Sequence, residues 1–194
     1  MTCCRIAEFI LTKAFISGIL KIRKEALKAM NSNDRDWWTG VRGRINFQDD
    51  PLCPAFSKIT DDLYLGRCPE ARDIDRLKSL GIRNILSVAK ECHVEWVGYD
   101  GPNFNLVYVG MHDHQPLPPL MAKLALTALK EMLKKGRTLV NCGIGVSRSP
   151  TIISLYWLAM GEVESYEEGI QKLQALRSVL RPNRIVDHNH LQMV

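Results

Sequence analysis

Apolar positions follow two rhythms along this 194-residue chain. From about residue 57 onward, short runs of aliphatic residues alternate with longer stretches whose apolar residues fall three and four apart. The first rhythm predicts buried strands and the second predicts helices packed by one face. Lys58-Ile59-Thr60 and Leu63-Tyr64-Leu65 are short strand candidates around an Asp61-Asp62 turn. Ala71 to Leu80 is a helix closed by Gly81. Arg83 to Val88 and Asn105 to Val109 are buried strands, and Leu117 to Lys135 is a long helix ended by Gly136. A strand through Thr138, Leu139 and Val140 is followed by an apolar helix from Thr151 to Met160. Ser165 and Glu168 have capping-box spacing for a helix to about Arg177, and Asn183 to Met193 supplies a last helix. Strands alternating with helices imply an α/β fold, with a mostly parallel central sheet flanked by helices. Ligand sites of such sheets lie at the carboxyl ends of their strands.

Residues 1–55 depart from this pattern and are expected to form an N-terminal helical extension and connector, with residues 56–194 as the main α/β domain. Ile6 to Leu20 is mostly apolar, but Glu8 and Lys13 interrupt it. It is too short and too charged for a membrane span and lacks a clean cleavage signal. Lys21, Arg23, Lys24 and Lys28 follow it. An apolar helix beside a basic cluster fits peripheral contact with an anionic membrane through residues 1–30, or a helix packed on the domain with solvated lysines. Asn31 to Pro54 is a connector whose Trp37-Trp38 pair is expected to dock on the domain.

The formal charge of +5 suits anionic substrates or an anionic surface without choosing between them. No groove-reading motif is present, so nucleic acid is not an expected partner. The six cysteines, Cys3, Cys4, Cys53, Cys68, Cys92 and Cys142, match no zinc spacing. Cys3-Cys4 is a lipidation candidate or a pair of plain thiols.

The chemistry concentrates in Leu139-Val140-Asn141-Cys142-Gly143-Ile144-Gly145-Val146-Ser147-Arg148-Ser149-Pro150. A strand delivers a cysteine to a loop with two glycines, and an arginine then opens a helix. A loop entering a helix N-terminus turns several N–H groups toward one anion. Gly143 and Gly145 permit the tight turn, and Arg148 offers a planar fork matched to two phosphate oxygens. The same positive field favours the thiolate of Cys142, a nucleophile aimed at phosphorus.

This run resembles the signature loop of the cysteine-dependent protein tyrosine phosphatase superfamily, His-Cys-x-x-x-x-x-Arg-Ser/Thr. Within that superfamily, Cys142, Gly145, Val146-Ser147, Arg148 and Ser149 resemble the dual-specificity phosphatase branch. The likeness extends over roughly Ser57 to Gln192, and Ile59-x4-Tyr64-Leu65-Gly66 is similar to the opening of such domains. Asn141 stands where the family usually has His; Asn can donate a similar hydrogen bond but carries no positive charge. The resemblance implies that Cys142 attacks phosphorus while the loop from Gly143, Ile144, Gly145, Val146 and Ser147 to Arg148 binds the phosphate. It also implies that Ser149 stabilises the departing sulfur, although helix capping would explain Ser149 as well. No metal or organic cofactor is implied.

The leaving oxygen needs a proton. Asp113, in Met111-His112-Asp113-His114-Gln115-Pro116, lies 29 residues before Cys142, one strand and one long helix upstream, where family members place their general acid. Asp100, in a Tyr-Asp-Gly-Pro turn, is the alternative, although turn formation accounts for it. His112 and His114 around Asp113 suggest a metal site, but consecutive loop residues rarely converge on one ion. Arg181-Pro182-Asn183 resembles a structural Arg-Pro element of the branch. A Cys92–Cys142 disulfide has parallels among relatives, and a buried structural thiol is the simpler expectation for Cys92.

The leading expectation is a phosphatase acting on phosphoproteins, on phosphotyrosine and phosphoserine/phosphothreonine, in a reducing, cytoplasmic setting. Peripheral membrane association through residues 1–30 is compatible with it. The alternative is a lipid-phosphate phosphatase, favoured by the N-terminal segment and by Asp113-His114-Gln115-Pro116, which resembles the acid loop of phosphoinositide phosphatases. The uncharged Gly143, Ile144, Val146 and Ser147 oppose it. A silent phosphate-binding adaptor is a third class. The sequence leaves the oligomeric state open.

Overall fold

The computed structural model describes residues 54–92, 104–113 and 115–182. The expectations for residues 1–53, for Asp100, for His114 and for residues 183–193 lie outside them.

Five strands form one sheet: β1 (Phe56–Lys58), β2 (Leu63–Arg67), β3 (Asn84–Ala89), β4 (Asn105–Met111) and β5 (Thr138–Cys142). Their spatial order is β1-β2-β5-β3-β4. All neighbours run parallel except β1 against β2. β5 is central, with Val140 beside Leu65 of β2 and Leu86 of β3. The helices are α1 (Ile74–Ser79), α2 (Pro119–Leu133), α3 (Arg148–Ala159) and α4 (Tyr166–Leu176). Helices over both faces explain why the strand sequences are near-continuous apolar runs rather than alternating ones.

Ile85, Leu139 and Tyr64 project to one face, where Leu77 of α1, Ile82, Ala55 and Phe56 complete a buried cluster. Leu65, Leu86 and Val140, one position on, face the other way and are also buried. α2 buries Ala122, Ala125, Leu126, Leu129 and Met132, the spacing of a single helical face. α3 is buried continuously from Arg148 to Trp157, as a helix covered by both the sheet and α4 must be.

Three boundaries differ from expectation for identifiable reasons. The first strand ends at Lys58, because Ile59 and Thr60 already donate to the Leu63 carbonyl and the Thr60 hydroxyl accepts from Leu63 N–H at 3.1 Å. The helix expected from Ala71 is a 3-10 turn over Ala71–Asp73 followed by α1. That entry is tight because the buried Asp73 carboxylate accepts from Glu70 N–H at 2.7 Å and from Arg67 at 2.8 and 3.1 Å. α2 starts at Pro119, a residue suited to the first helical position. The Ser165 cap is present, with Glu168 N–H donating to Ser165 Oγ at 3.1 Å. The Glu168 carboxylate returns to Glu164 N–H at 2.7 Å rather than to Ser165 itself.

Candidate active site

β5 ends on Cys142 and α3 begins at Arg148, so the loop between them sits at the carboxyl end of the central strand. Its carbonyls are bonded to neighbouring segments. Gly143 O accepts from Cys68 N–H at 3.0 Å, and Val146 O from Arg181 N–H at 2.8 Å. Arg177 reaches in from the end of α4, giving Nε to Gly145 O at 3.1 Å and Nη2 to Ile144 O at 3.4 Å. Ser147 O accepts from Thr151 N–H and Oγ1. The peptides are all trans. In a trans peptide the N–H points opposite to the preceding C=O. Anchoring the carbonyls of 143 to 147 therefore turns the N–H groups of Ile144, Gly145, Val146, Ser147 and Arg148 the other way, which makes a nest for an anion.

Gly145 is required twice over. It adopts φ +70°, and a Cβ there would stand 2.4 Å from the carbonyl carbon of Gly66 and 2.8 Å from Arg67 N. Gly66 on β2 is itself pressed against Ala55 O and Phe56, so glycine meets glycine where the loop rests on the sheet.

Cys142 is buried, and Ser149 Oγ donates to its sulfur at 3.3 Å. The residue at the helix N-cap is Ser147, which frees Ser149 for the sulfur. Arg148 is 5% exposed. Its Nη1 donates to Glu91 Oε2 at 2.7 Å and to Met111 O at 3.0 Å, and its Nη2 donates to Glu91 Oε1. Its Nε faces Asp113 Oδ1 at 3.4 Å. Burial disfavours the guanidinium charge, but the hydrogen bond to Glu91 and the charges of Cys142, Glu91 and Asp113 outweigh it, so Arg148 is held above the usual arginine range. Asp113 thus meets the signature loop through Arg148, and its neighbour His112 is exposed.

Asn141 is buried, and its Oδ1 accepts from Ser87 Oγ of β3 at 3.1 Å, while its Nδ2 has no hydrogen-bond partner. Cys68, Cys92 and Cys142 are free and buried. Burial, the neighbouring Cys68 thiol and nearby negative charge push the Cys92 thiol well above its ordinary value.

Four contributors escaped the sequence reading: Glu91, Arg177, Ser87 and the Arg67–Asp73 pair. Arg177 carried a faint signal, as a basic residue at the end of a predicted helix shortly before Arg181-Pro182. Glu91 gave none, because nothing in its spacing connects it to Arg148, 57 positions on.

Residues 63–189 match the family described as dual specificity phosphatase, catalytic domain. Dual specificity protein phosphatase 14 of Homo sapiens is 32% identical over 129 residues, covering 66% of this chain and 63% of its own length. Dual specificity protein phosphatase 2 of Mus musculus is 28% identical over 148 residues, covering 73% of this chain and 45% of its own length. The chain therefore spans only about half to two thirds of these relatives. Among solved structures, the human tyrosine phosphatase-like serine/threonine/tyrosine-interacting protein superposes with TM-score 0.60 at 18% identity, over 71% of this chain and 93% of that one. PTPMT1 in complex with PI(5)P superposes with TM-score 0.58 at 18% identity, over 72% and 91%. Those two likenesses establish the fold; the match over residues 63–189 shows that this chain belongs to the dual specificity phosphatase catalytic-domain family.

Proposed function

We propose that this protein is a cysteine-dependent phosphatase that hydrolyses phosphomonoesters on proteins, phosphotyrosine and phosphoserine/phosphothreonine alike, through a phosphocysteine intermediate. The observation that carries this reading is the loop whose carbonyls are all anchored away from the side its amides face, with Cys142 at its start and Arg148 at its end. The phosphate lies in the nest of N–H groups from Ile144 to Arg148. Cys142 Sγ attacks phosphorus, the P–O bond to the leaving group breaks, and Asp113 gives its proton to the departing oxygen. Asp113, now a carboxylate, takes a proton from water as the water oxygen attacks phosphorus and the S–P bond breaks. Ser149 donates to the sulfur as it leaves, and phosphate departs. The chemistry needs no metal or cofactor. In this reading residues 56–194 form the catalytic unit, and a reducing, cytoplasm-like compartment preserves the thiol.

The uncharged variable positions of the loop, Gly143, Ile144, Val146 and Ser147, support a single phosphate on a protein side chain over a multiply phosphorylated lipid headgroup. The lipid-phosphate reading draws on the exposed apolar rim beside the acid loop, formed by Pro116, Pro118, Pro119 and Leu120, the last 65% exposed. Among the described residues no helix is long and apolar enough to cross a membrane. Phosphate release by the wild type and by Cys142→Ser decides between the readings. The substrates are phosphotyrosine and phosphothreonine peptides and vesicles of phosphoinositide or phosphatidylglycerophosphate. Release from peptides that vanishes in the variant is expected, with a loss of roughly four to six orders of magnitude in kcat. Lipid-only release would replace this reading with the lipid one. Phosphopeptide binding without release would make the protein an adaptor.

A further inference from the structure

Three cysteines lie at the carboxyl ends of three adjacent strands. Cys142 ends β5, Cys68 follows β2 on one side of it, and Cys92 sits in the turn after β3 on the other. All three are free and buried, at 1%, 6% and 2% exposure respectively. The proposed phosphatase reaction uses Cys142 and gives the other two no part.

Those two are pinned to opposite ends of the signature loop. Arg67 is the strand partner of Cys142, and the next residue, Cys68, donates its N–H to Gly143 O at 3.0 Å. The Cys68 carbonyl accepts from Arg67 Nη1 at 2.9 Å, and Asp73 holds that guanidinium in turn. Cys92 follows Glu91, whose carboxylate accepts from Arg148 at the far end of the loop, and Cys92 N–H donates to Ala89 O at 3.1 Å. The Cys68 thiol neighbours that of Cys92, and charge on Cys142 reaches Cys92 as well, so Cys92 is the middle sulfur of the three. The sulfur of Cys142 differs from the others in having the Ser149 hydroxyl aimed at it, at 3.3 Å, ready to receive a thiolate.

We propose that Cys68 and Cys92 form a dithiol that takes oxidation over from Cys142 and holds it as a Cys68–Cys92 disulfide, leaving Cys142 reduced. Hydrogen peroxide is the oxidant. Its O–O bond breaks as the Cys142 thiolate takes one oxygen and becomes a sulfenic acid. Cys92 Sγ attacks Cys142 Sγ, the S–O bond breaks, and hydroxide leaves with the Cys92 proton as water. Cys68 Sγ then attacks Cys92 Sγ, releases its proton to water, and expels Cys142 as a thiolate onto the Ser149 hydroxyl. In sum, one peroxide takes two electrons and two protons from Cys68 and Cys92 and becomes two waters. The leaving groups set the direction. Exchange ejects the sulfur that the site receives as an anion, whereas Cys92, held above its ordinary value, is a poor leaving group, so the final bridge resists reopening. A bridge between Cys92 and Cys142 is therefore passed through and is not the oxidised resting form. The reactivity of Cys142 toward peroxide rests on the phosphatase reading, but the end product is read by covalent mapping without turnover.

The test treats the reduced full chain with hydrogen peroxide, alkylates the remaining thiols, and maps disulfides by mass spectrometry of unreduced peptides. Wild type, Cys68→Ala, Cys92→Ala and Cys142→Ser are compared, and hydrolysis of p-nitrophenyl phosphate is followed before and after treatment. Wild type is expected to show the Cys68–Cys92 bridge with Cys142 still open to alkylation, and to recover its activity with no added reductant. Cys68→Ala should stall with Cys92 bridged to Cys142, inactive until dithiothreitol is added. Cys92→Ala should carry Cys142 on to the sulfinic acid and lose activity beyond rescue. Cys142→Ser should form the Cys68–Cys92 bridge far more slowly than wild type. A lasting Cys92–Cys142 bridge in wild type, or bridges to Cys3, Cys4 or Cys53 in its place, would overturn the proposal. So would a bridge that forms as fast in Cys142→Ser as in wild type. The wild-type map needs no variant and decides the matter even if the substitutions prevent folding. If untreated wild type releases nothing from p-nitrophenyl phosphate, the phosphatase reading fails while the bridge map still decides this proposal.

Discussion

The two ends of the sheet contain similar polar residues and treat them differently. At the amino ends of the strands, Asn84 gives Nδ2 to Met132 O at 3.1 Å and Gly136 O at 3.0 Å, and its Oδ1 accepts from Asn105 at 3.1 Å. Thr138 Oγ1 donates to Gly136 O, and Thr138 N–H donates to Asp62 O. At the carboxyl ends, the buried Arg67 Nε, Asn141 Nδ2, Ser147 Oγ and Arg148 Nε have no hydrogen-bond partner. Every orphaned buried side-chain polar atom among the described residues lies at that one end. Leaving such an atom unpaired costs about 1–3 kcal/mol. The cost is tolerated where a ligand completes the bonding, so the amino end is built for stability and the carboxyl end for an occupant.

Substitutions at each end test this contrast, and after Cys142→Ser the largest effect on activity is expected at the acid loop. Asp113→Asn should lower kcat on phosphoserine peptides by about 10²- to 10⁴-fold. The loss should be much smaller on p-nitrophenyl phosphate, whose leaving oxygen needs little protonation. Equal losses on both substrates would remove Asp113 from the proton transfer. Arg177→Met comes next, because it releases Ile144 O and Gly145 O from behind the loop. It should destabilise the fold by about 3 kcal/mol in denaturant titrations and weaken inorganic phosphate roughly tenfold. Stability lost without any change in phosphate affinity would mean that the amides hold their orientation unaided. The smallest effect on activity is expected at the opposite end. Asn84→Ala should cost about 1–3 kcal/mol of stability with kcat/KM within about twofold of wild type. A larger change in turnover would break the division between the ends.

Much of this was legible in the chain because it is local. The run from Leu139 to Pro150 carries strand, cysteine, turn and helix start in consecutive residues, and Gly145 declares its own conformation. The parallel sheet followed from alternating apolar runs, and the place of Asp113 near the signature loop, 3.4 Å from Arg148, from its position after a strand. What stayed hidden depends on residues that meet only after folding. Glu91 meets Arg148 across 57 positions, and Arg177 reaches Ser57 across 120. Lys58-Ile59-Thr60 misled for a different reason, since β-branched residues suggest a strand while the Thr60 hydroxyl binds the turn.

The ties from Arg177 and Arg181 to Ile144, Gly145 and Val146 also bear on the order of events during synthesis. Cys142 and Arg148 leave the ribosome first, and the segment tied to the loop carbonyls between them follows. A nascent chain that has exposed Cys142 but not Arg181 holds an unfinished anion nest. On the proposed reading, full affinity for phosphate is expected only once this late segment closes over the back of the loop.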